Sequence, residues 1–253
     1  MIYQISAACG CSIGKIRRNN EDNFYFNGSF LPEYNRGLDG IFSQKQALET
    51  ELCFAVFDGM GGEEHGETAS FMAASTCKAI LQNPDRPMTG PRALLERICA
   101  EANAAVNARR RELLASEMGT TGAFVLLVPD EAYVCNIGDS RVYRMRDSEL
   151  SQISVDDIER VPPGFHFKPG LTQFLGAPEE ELAIEPHIVK CELQSGDTFL
   201  ICSDGLTDMV STLEISVSLR EHISLRQIAR HLLRVALKNG GRDNVTVVLI
   251  RVD

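Results

Sequence analysis

Short apolar runs separated by turn residues dominate the hydrophobic pattern of this chain, and most of them predict β-strands. The runs are rich in β-branched and aromatic residues, which favours strands over helices. The predicted strands are 2–9, 23–27, 52–57, 123–128, 132–136, 141–145, 184–191, 198–202 and 245–252.

Turn residues between these runs indicate how the strands connect. Residues 129–131 and 137–140 carry Gly and Asp at positions typical of tight turns, so we predict a hairpin at each of them. Hairpins join antiparallel strands. Two longer stretches, 28–50 and 158–170, are polar or rich in Gly and Pro, and we predict that both are surface loops.

Three segments show helical periodicity, with apolar residues along one face: 67–81, 91–116 and 225–238. Two follow an early strand and one precedes the last strand, with a block of strands between them. This order favours antiparallel sheets with helices on their outer faces over a doubly wound parallel sheet. No internal repeat or linker interrupts the chain, so we predict a single domain over residues 1–253.

Charge and cysteine usage narrow the class of protein. The net charge of −10 and the isoelectric point near 5.1 argue against a nucleic-acid partner, which would need clustered Lys and Arg. No apolar stretch approaches the length of a membrane span, so we expect no membrane association. The eight cysteines are scattered, mostly within apolar runs, and indicate buried, reduced thiols in a cytoplasmic protein.

Three aspartates stand where an apolar strand gives way to glycine or another small polar residue. Asp58 and Asp204 each precede a glycine after such a run, and Asp243 comes just before the final strand. Carboxylates at strand ends can converge on a hard divalent cation, which prefers oxygen ligands. The pattern therefore predicts a metal-dependent enzyme.

Seven short motifs now identify a family resemblance. They are RRNNED at 17–22, FDGMGG at 57–62, GTTG at 119–122, NIGDSR at 136–141, LTQFLG at 171–176, SDGL at 203–206 and RDNVT at 242–246. Their order resembles that of the bacterial metal-dependent Ser/Thr protein phosphatases of type 2C, the PPM family. The resemblance implies an α+β fold, a four-layer α-β-β-α sandwich of two antiparallel sheets packed face to face with helices outside.

The resemblance also implies two Mn²⁺ or Mg²⁺ ions, with a third ion as an open alternative. Asp58 would bridge the first two ions and act in catalysis, and Gly59 would lend its backbone carbonyl. Asp204 and Asp243 would complete the shell of one ion. A side chain at position 59 would crowd this approach.

Further positions complete the implied site. Glu21, and more distantly Asp22, would hold the other ion through water. Asp139 would bind a third, weaker ion; the alternative interpretation is that Asp139 is only a turn residue. Arg17 would bind the phosphate, because its planar fork suits two phosphate oxygens. A water between the two ions would then attack phosphorus. Asn20 and Asn244 would orient neighbouring carboxylates.

The implied function is hydrolysis of phosphoserine and phosphothreonine in proteins, by a monomer that opposes a Ser/Thr kinase and counts that kinase among its substrates. Two other classes stay open: a catalytically silent module that binds phosphoproteins, and a two-metal phosphodiesterase. The family pattern is also broken in places. Met60 stands where some relatives have a proton-donating His, leaving His65 or a water as the acid, and the loop after Asp157 is short.

Overall fold

The computed structural model describes residues 2–60, 65–162, 169–178 and 182–253. Its strands form two antiparallel sheets. In chain order they are β1 (Gln4–Ser12), β2 (Asp22–Phe26), β3 (Phe42–Ala47), β4 (Leu52–Met60), β5 (Gly119–Thr120), β6 (Gly122–Val128), β7 (Glu131–Ile137), β8 (Arg141–Arg146), β9 (Glu149–Gln152), β10 (His187–Glu192), β11 (Thr198–Cys202) and β12 (Val245–Val252).

The sheets have interleaved connectivity. Sheet I has the order β3-β1-β12-β11-β8-β9, so the first and last strands of the described chain pair at its centre. Sheet II has the order β10-β7-β6-β4-β2, and β5 pairs with the far end of β4. Residues distant in sequence are therefore brought to the same end of both sheets.

Side-chain alternation along the central strands builds the layers. Phe54 and Val56 of β4 pack between the two sheets, while Ala55 and Phe57 face the other way. In β12, Val248 and its alternate neighbours lie between the sheets, and the intervening residues face the opposite surface of sheet I. Both faces of each central strand are buried, which explains their nearly continuous apolar sequences.

Helices cover the two outer faces. They are α1 (Gly66–Leu81), α2 (Pro91–Leu113), α3 (Asp204–Thr207), α4 (Thr212–Arg220) and α5 (Leu225–Lys238). Side chains of α1 and α2 pack on sheet II, and those of α3, α4 and α5 pack on sheet I. The layers follow the order helix, sheet, sheet, helix, which confirms the predicted α+β sandwich.

Two connections differ from the sequence prediction. The supposed loop 28–50 contains a strand, β3, which pairs with β1 at the edge of sheet I. Its residues are mostly polar and partly exposed, so no apolar alternation marks it. The turn at 137–140 is not a hairpin, because β7 belongs to sheet II and β8 to sheet I. The predicted hairpin at 129–131, between β6 and β7, is confirmed.

Element ends also shift. Strand β4 continues through Met60 instead of breaking at Asp58, and β10 begins at His187. Helix α2 ends at Leu113, and Leu114 takes a left-handed conformation. Short elements β5, β9, α3 and α4 carried no sequence prediction. Residues 163–168 of the predicted loop 158–170 lie outside the described residues.

The thiol prediction is confirmed. All eight cysteines are free, and all except the half-buried Cys191 are buried. Burial raises the pKa of Cys11 and Cys202 to about 12. None of the described helices is both long and apolar enough to cross a membrane.

Candidate metal and phosphate site

One cavity of about 300 Å³ collects almost all of the predicted site residues. It lies where β2 begins and where β4 and β11 end, beside the loop that precedes β12. Its lining residues are Arg17, Glu21, Asp58, Gly59, Met60, Thr121, Asp139, Pro169, Gly170, Leu171, Asp204 and Asp243. Asp22 is the one predicted site residue that does not line it, and Gly61 and Gly62 of the second motif lie outside the described residues.

Asp58 is held by strand pairing and by two threonines. Its backbone N–H donates to Thr121 Oγ1 (3.0 Å), and its carbonyl accepts from the Thr121 N–H (2.9 Å) and Thr120 Oγ1 (3.0 Å). Thr121 Oγ1 also lies 2.7 Å from Ser140 Oγ, next to Asp139. The threonines therefore tie the β4 end of the cavity to the turn that carries Asp139. Sequence reasoning gave Thr121 no role, although it lies within the GTTG motif.

Gly59 lies in a close backbone crossing. It pairs with Thr120, and its N–H donates to the carbonyl of Glu21 (3.1 Å). A Cβ at this position would lie 2.6 Å from the Glu21 carbonyl oxygen and would also meet the carbonyl of Gly66. Only glycine fits here, because backbone atoms cannot move aside as a flexible side chain can.

Asp204 is separated from the end of β11 by one residue, Ser203, and opens the short helix α3. The next residue, Gly205, packs against the backbone carbonyl of Asn244 so closely that a Cβ would collide with it. This contact places the start of α3 against the start of β12. The carboxylates of Asp204 and Asp243 therefore reach the same cavity from neighbouring strands of sheet I.

Asn244 fixes the loop that carries Glu21. Its Oδ1 accepts from the Glu21 N–H (2.8 Å), and its Nδ2 donates to the carbonyls of Ile13 (3.0 Å) and Asn19 (2.9 Å). Asn20 makes different contacts: its Nδ2 donates to Asn35 Oδ1 (2.7 Å) and to Cys11 Sγ. Asn244 thus orients a carboxylate-bearing segment, whereas Asn20 supports a surface loop.

Arg17 and Asp243 form an ion pair at the mouth of the cavity. Arg17 Nη2 donates to Asp243 Oδ2 at 2.7 Å, and their side chains are 45% and 28% exposed. This hydrogen bond raises the pKa of the guanidinium. The two partners are the residues expected to bind phosphate and cation, so a ligand of either kind would compete with the pair.

Asp22 lies beneath the cavity in a buried polar network. Its Oδ2 accepts from Ser203 Oγ (2.8 Å) and Thr246 Oγ1 (2.7 Å), while Oδ1 has no hydrogen-bond partner among the described residues. Burial raises the pKa of the carboxyl to about 7, against the lowering effect of these two hydrogen bonds. Asp22 thereby anchors the residue before Asp204 and the last strand.

The electrostatics of the cavity fit a divalent cation. Five carboxylates line it, and burial together with the charges of Glu67 and Asp243 raises the pKa of Glu21, although Arg17 lowers it. Oxygen donors of this kind suit Mg²⁺ or Mn²⁺. Among the described residues, no three acidic, His or Cys side chains are close enough to enclose an ion by themselves. An ion here would keep several water ligands, as Mg²⁺ commonly does.

Asp157 braces the opposite wall of the cavity. Its Oδ2 accepts from the Gly138 N–H (2.9 Å), and its Oδ1 accepts from Gln173 Nε2 (3.0 Å) and lies 2.8 Å from His187 Nε2. These bonds join the turn of Asp139, the end of the short loop and strand β10. Asp157 therefore serves as a brace between these three segments.

The position of His65, the one protein residue predicted as a candidate proton donor, does not favour that role. Met60 lines the cavity but has no acidic proton. His65 is the N-terminal cap residue of α1, has a left-handed backbone (φ 73°) and is not among the lining residues.

Comparisons with known proteins agree with this geometry. The family model described as "Protein phosphatase 2C" matches residues 39–246. The chain belongs to the protein phosphatase 2C family. It is 31% identical over 249 residues to "Serine/threonine protein phosphatase PstP" of Mycobacterium tuberculosis, covering 94% of this chain and 43% of that protein. It is 28% identical over 255 residues to "Serine/threonine phosphatase stp" of Listeria monocytogenes, covering 95% and 93%.

Solved structures are similar over nearly the whole chain. The catalytic domain of PstP in complex with two manganese ions has a TM-score of 0.77 at 31% identity, covering 98% of this chain and 99% of that one. PppA of Pseudomonas aeruginosa has a TM-score of 0.78 at 25% identity, covering 98% of each chain. The present chain spans less than half the length of the mycobacterial relative.

Proposed function

We propose that this protein is a metal-dependent phosphatase that removes phosphate from phosphoserine and phosphothreonine in proteins. The observation that carries the proposal is the convergence of five carboxylates and Arg17 on one cavity. Carboxylates alone would suit any hard cation, but an arginine at the mouth adds a partner for a phosphoryl group. Relatives named as Ser/Thr phosphatases support the choice of substrate.

Four of the five carboxylates that line the cavity would hold the two ions. Asp58 would bridge, with the Gly59 carbonyl beside it, and Asp204 and Asp243 would complete one shell. Glu21 would hold the other ion through water. Two Mn²⁺ or Mg²⁺ ions bound there would lower the pKa of a water molecule and polarise the phosphoryl oxygens.

Asp22 and Asp139 would act at the margins of the site. Asp22 is buried below the cavity, so its role would be to fix Ser203 and the strand ends that carry the ligands. Asp139 lines the cavity in a turn braced by Asp157. It is the residue we propose for a third, weaker ion.

Arg17 would exchange one partner for another during binding. In the structure its guanidinium is paired with Asp243. With Asp243 holding a cation, the guanidinium fork of Arg17 would be available to two phosphoryl oxygens of the substrate.

The proposed partners are phosphorylated proteins, among them a Ser/Thr kinase that the phosphatase opposes. We propose that the chain works as a monomer in the cytoplasm. Neither nucleic acid nor a membrane has a part in the proposal.

Three substrates test the proposal and its alternatives on one preparation. Hydrolysis of a small aryl phosphate, a phosphothreonine peptide and an aryl phosphodiester would be measured with Mn²⁺ and then with excess chelator. We expect turnover of the first two substrates, loss of that turnover on chelation, and its return when Mn²⁺ is restored.

Other outcomes would identify the competing classes. Binding of the phosphopeptide without turnover in Mn²⁺ would show a silent binding module. Turnover confined to the diester would show a phosphodiesterase. Turnover that persists in chelator would contradict the metal-dependent mechanism.

A further inference from the structure

A second cavity, of about 450 Å³, opens beside the first. The two cavities share Met60, Gly170 and Leu171 as lining residues, so they are contiguous across one wall. The second cavity extends away from the carboxylates, toward the end of α2 and the residues just before β5. A substrate that extends beyond the phosphorylated residue would therefore pass close to the second cavity.

The second cavity has a mixed lining with one cationic residue among the described residues. Met118 and Phe174 contribute apolar surface, and Arg110 and Glu117 are the charged residues. No ion pair joins Arg110 to Glu117 or to any other described residue within 4.0 Å. Arg110 therefore lines the cavity without an ion pair to any described residue, although Glu117 lines the cavity as well.

Arg110 also has an unused hydrogen-bond donor. Its Nε is buried and has no hydrogen-bond partner among the described residues. A buried donor without a partner costs roughly 1–3 kcal/mol. The arginine stands in the last turn of α2, where positive charge favours the helix end. That benefit accounts equally for its neighbour Arg111, which does not line the cavity.

We infer that the second cavity binds an anionic side chain of the substrate close to the phosphorylated residue, with Arg110 as its partner. The expected group is the carboxylate of Asp or Glu; a second phosphoryl group has the same chemistry. Arg110 would then be a specificity-determining residue. This inference rests on the proposed function, since it concerns the protein that carries the phosphate.

An extended peptide places side chains at a range of distances from its phosphorylated residue. Neighbouring Cα atoms of an extended chain are about 3.8 Å apart, so residues one to three places from the phosphorylated one extend roughly 4–11 Å from it. The guanidinium fork can pair with two oxygens of a carboxylate. The apolar surface of Met118 and Phe174 would contact the methylene groups of the same side chain.

The test compares kcat/KM between matched pairs of phosphopeptides. Phosphothreonine peptides carrying Glu within three residues on either side would be compared with the matched Gln peptides. We expect kcat/KM for at least one Glu peptide to exceed that of its Gln counterpart by about three- to tenfold, the range for a partly exposed charged hydrogen bond. Both substrates are measured on the same preparation, so partial loss of folded protein cancels in the ratio.

Variants of two arginines in α2 test which residue causes the preference for the Glu peptide. Arg110→Gln should reduce the ratio to about one, and Arg110→Glu should invert it in favour of a Lys peptide. Arg111→Gln removes the same charge one residue away and should keep the ratio of the unmodified protein. A peptide with a second phosphothreonine in place of Glu is compared with the same Gln peptide. Its kcat/KM ratio, set beside that of the Glu peptide, shows whether Arg110 prefers a phosphoryl group or a carboxylate.

Equal rates for all Glu and Gln peptides would overturn the inference, as would a Glu preference that survives in Arg110→Gln. Either result would leave the proposed function in place, because the peptides would still be hydrolysed in Mn²⁺. Absence of turnover on every phosphopeptide would instead overturn the proposed function and the inference together.

Discussion

Asp58 is the residue on which the metal assignment depends most. It lies within a strand paired on both sides, and its backbone is fixed by Thr120 and Thr121. The change to Asn exchanges one carboxylate oxygen for an NH2 group. It should therefore leave the fold intact while removing a metal ligand. We expect Asp58→Asn to lose several kcal/mol of transition-state stabilisation, so turnover with Mn²⁺ falls at least about a hundredfold.

Thermal unfolding provides a second readout for the same variant. Five carboxylates share the cavity, so neutralising one of them should leave the metal-free protein at least as stable as the unmodified one. Added Mn²⁺ should raise the unfolding temperature less in Asp58→Asn. Asp147→Asn, at the exposed turn between β8 and β9, is the matched control and should behave like the unmodified protein. Normal turnover of Asp58→Asn would contradict the assignment.

Arg17 permits a separation of phosphate binding from cation binding. Arg17→Ala removes a charged fork worth about 1.5–3 kcal/mol, so kcat/KM for a phosphopeptide should fall roughly ten- to hundredfold. The same change releases Asp243 from its ion pair, and Mn²⁺ affinity measured by calorimetry should be equal or higher. Arg18→Ala, the exposed neighbour, is the control. A Mn²⁺ affinity that falls with the rate would show that Arg17 supports the metal site instead.

Seven of the eight predicted site residues line the cavity. They could be named from the sequence because each stands in one of the short motifs. The geometry of these residues could not be predicted from the sequence. Nothing in the sequence shows that Asp22 points into a buried network with Ser203 and Thr246, since a carboxylate next to Glu21 suggests a second ligand. The pairing of Arg17 with Asp243 joins residues far apart in the chain and is equally invisible in the sequence.

At the scale of elements, the contact between α3 and β12 sets the spacing of two proposed ligands. Gly205 allows α3 to touch the Asn244 carbonyl, and a methyl group there would force the two elements apart. We expect Gly205→Ala to destabilise the protein by about 1–3 kcal/mol, measured by urea unfolding. Turnover should also fall, because Asp204 would move relative to Asp243.

Gly40 supplies the control for this prediction. A Cβ at that exposed position has no atom within 4 Å, so Gly40→Ala should change stability by less than about 0.5 kcal/mol. Equal stability of the two alanine variants would show that the α3–β12 contact relaxes freely and does not position Asp204.

The elements that sequence reasoning missed share a physical cause. Strand β3 is an edge strand with polar residues on both faces, so it lacks the apolar alternation that reveals β4 or β12. The turn after β7 has hairpin composition, but the chain crosses there from one sheet to the other. Local sequence sets the shape of a turn, while the sheet that the next strand joins depends on distant partners.

At the scale of the whole molecule, the sandwich makes the site a product of long-range contacts. Strands from both sheets end at one cavity, and their side chains come from positions as far apart as Arg17 and Asp243. The packed layers between and outside the sheets hold these ends in place. The order of strands and helices predicted antiparallel sheets with helices outside, and the family resemblance implied that the sheets pack face to face. The pairing of β1 with β12 was not predicted.

The central claim is that metal bound in this cavity drives hydrolysis of a phosphoprotein. The most direct test titrates Mn²⁺ into metal-free protein while bound metal and turnover of a phosphothreonine peptide are followed on the same sample. We predict that two ions bind, that turnover rises with their occupancy, and that Asp58→Asn loses both effects. Full occupancy without turnover, or turnover before any metal binds, would contradict the account.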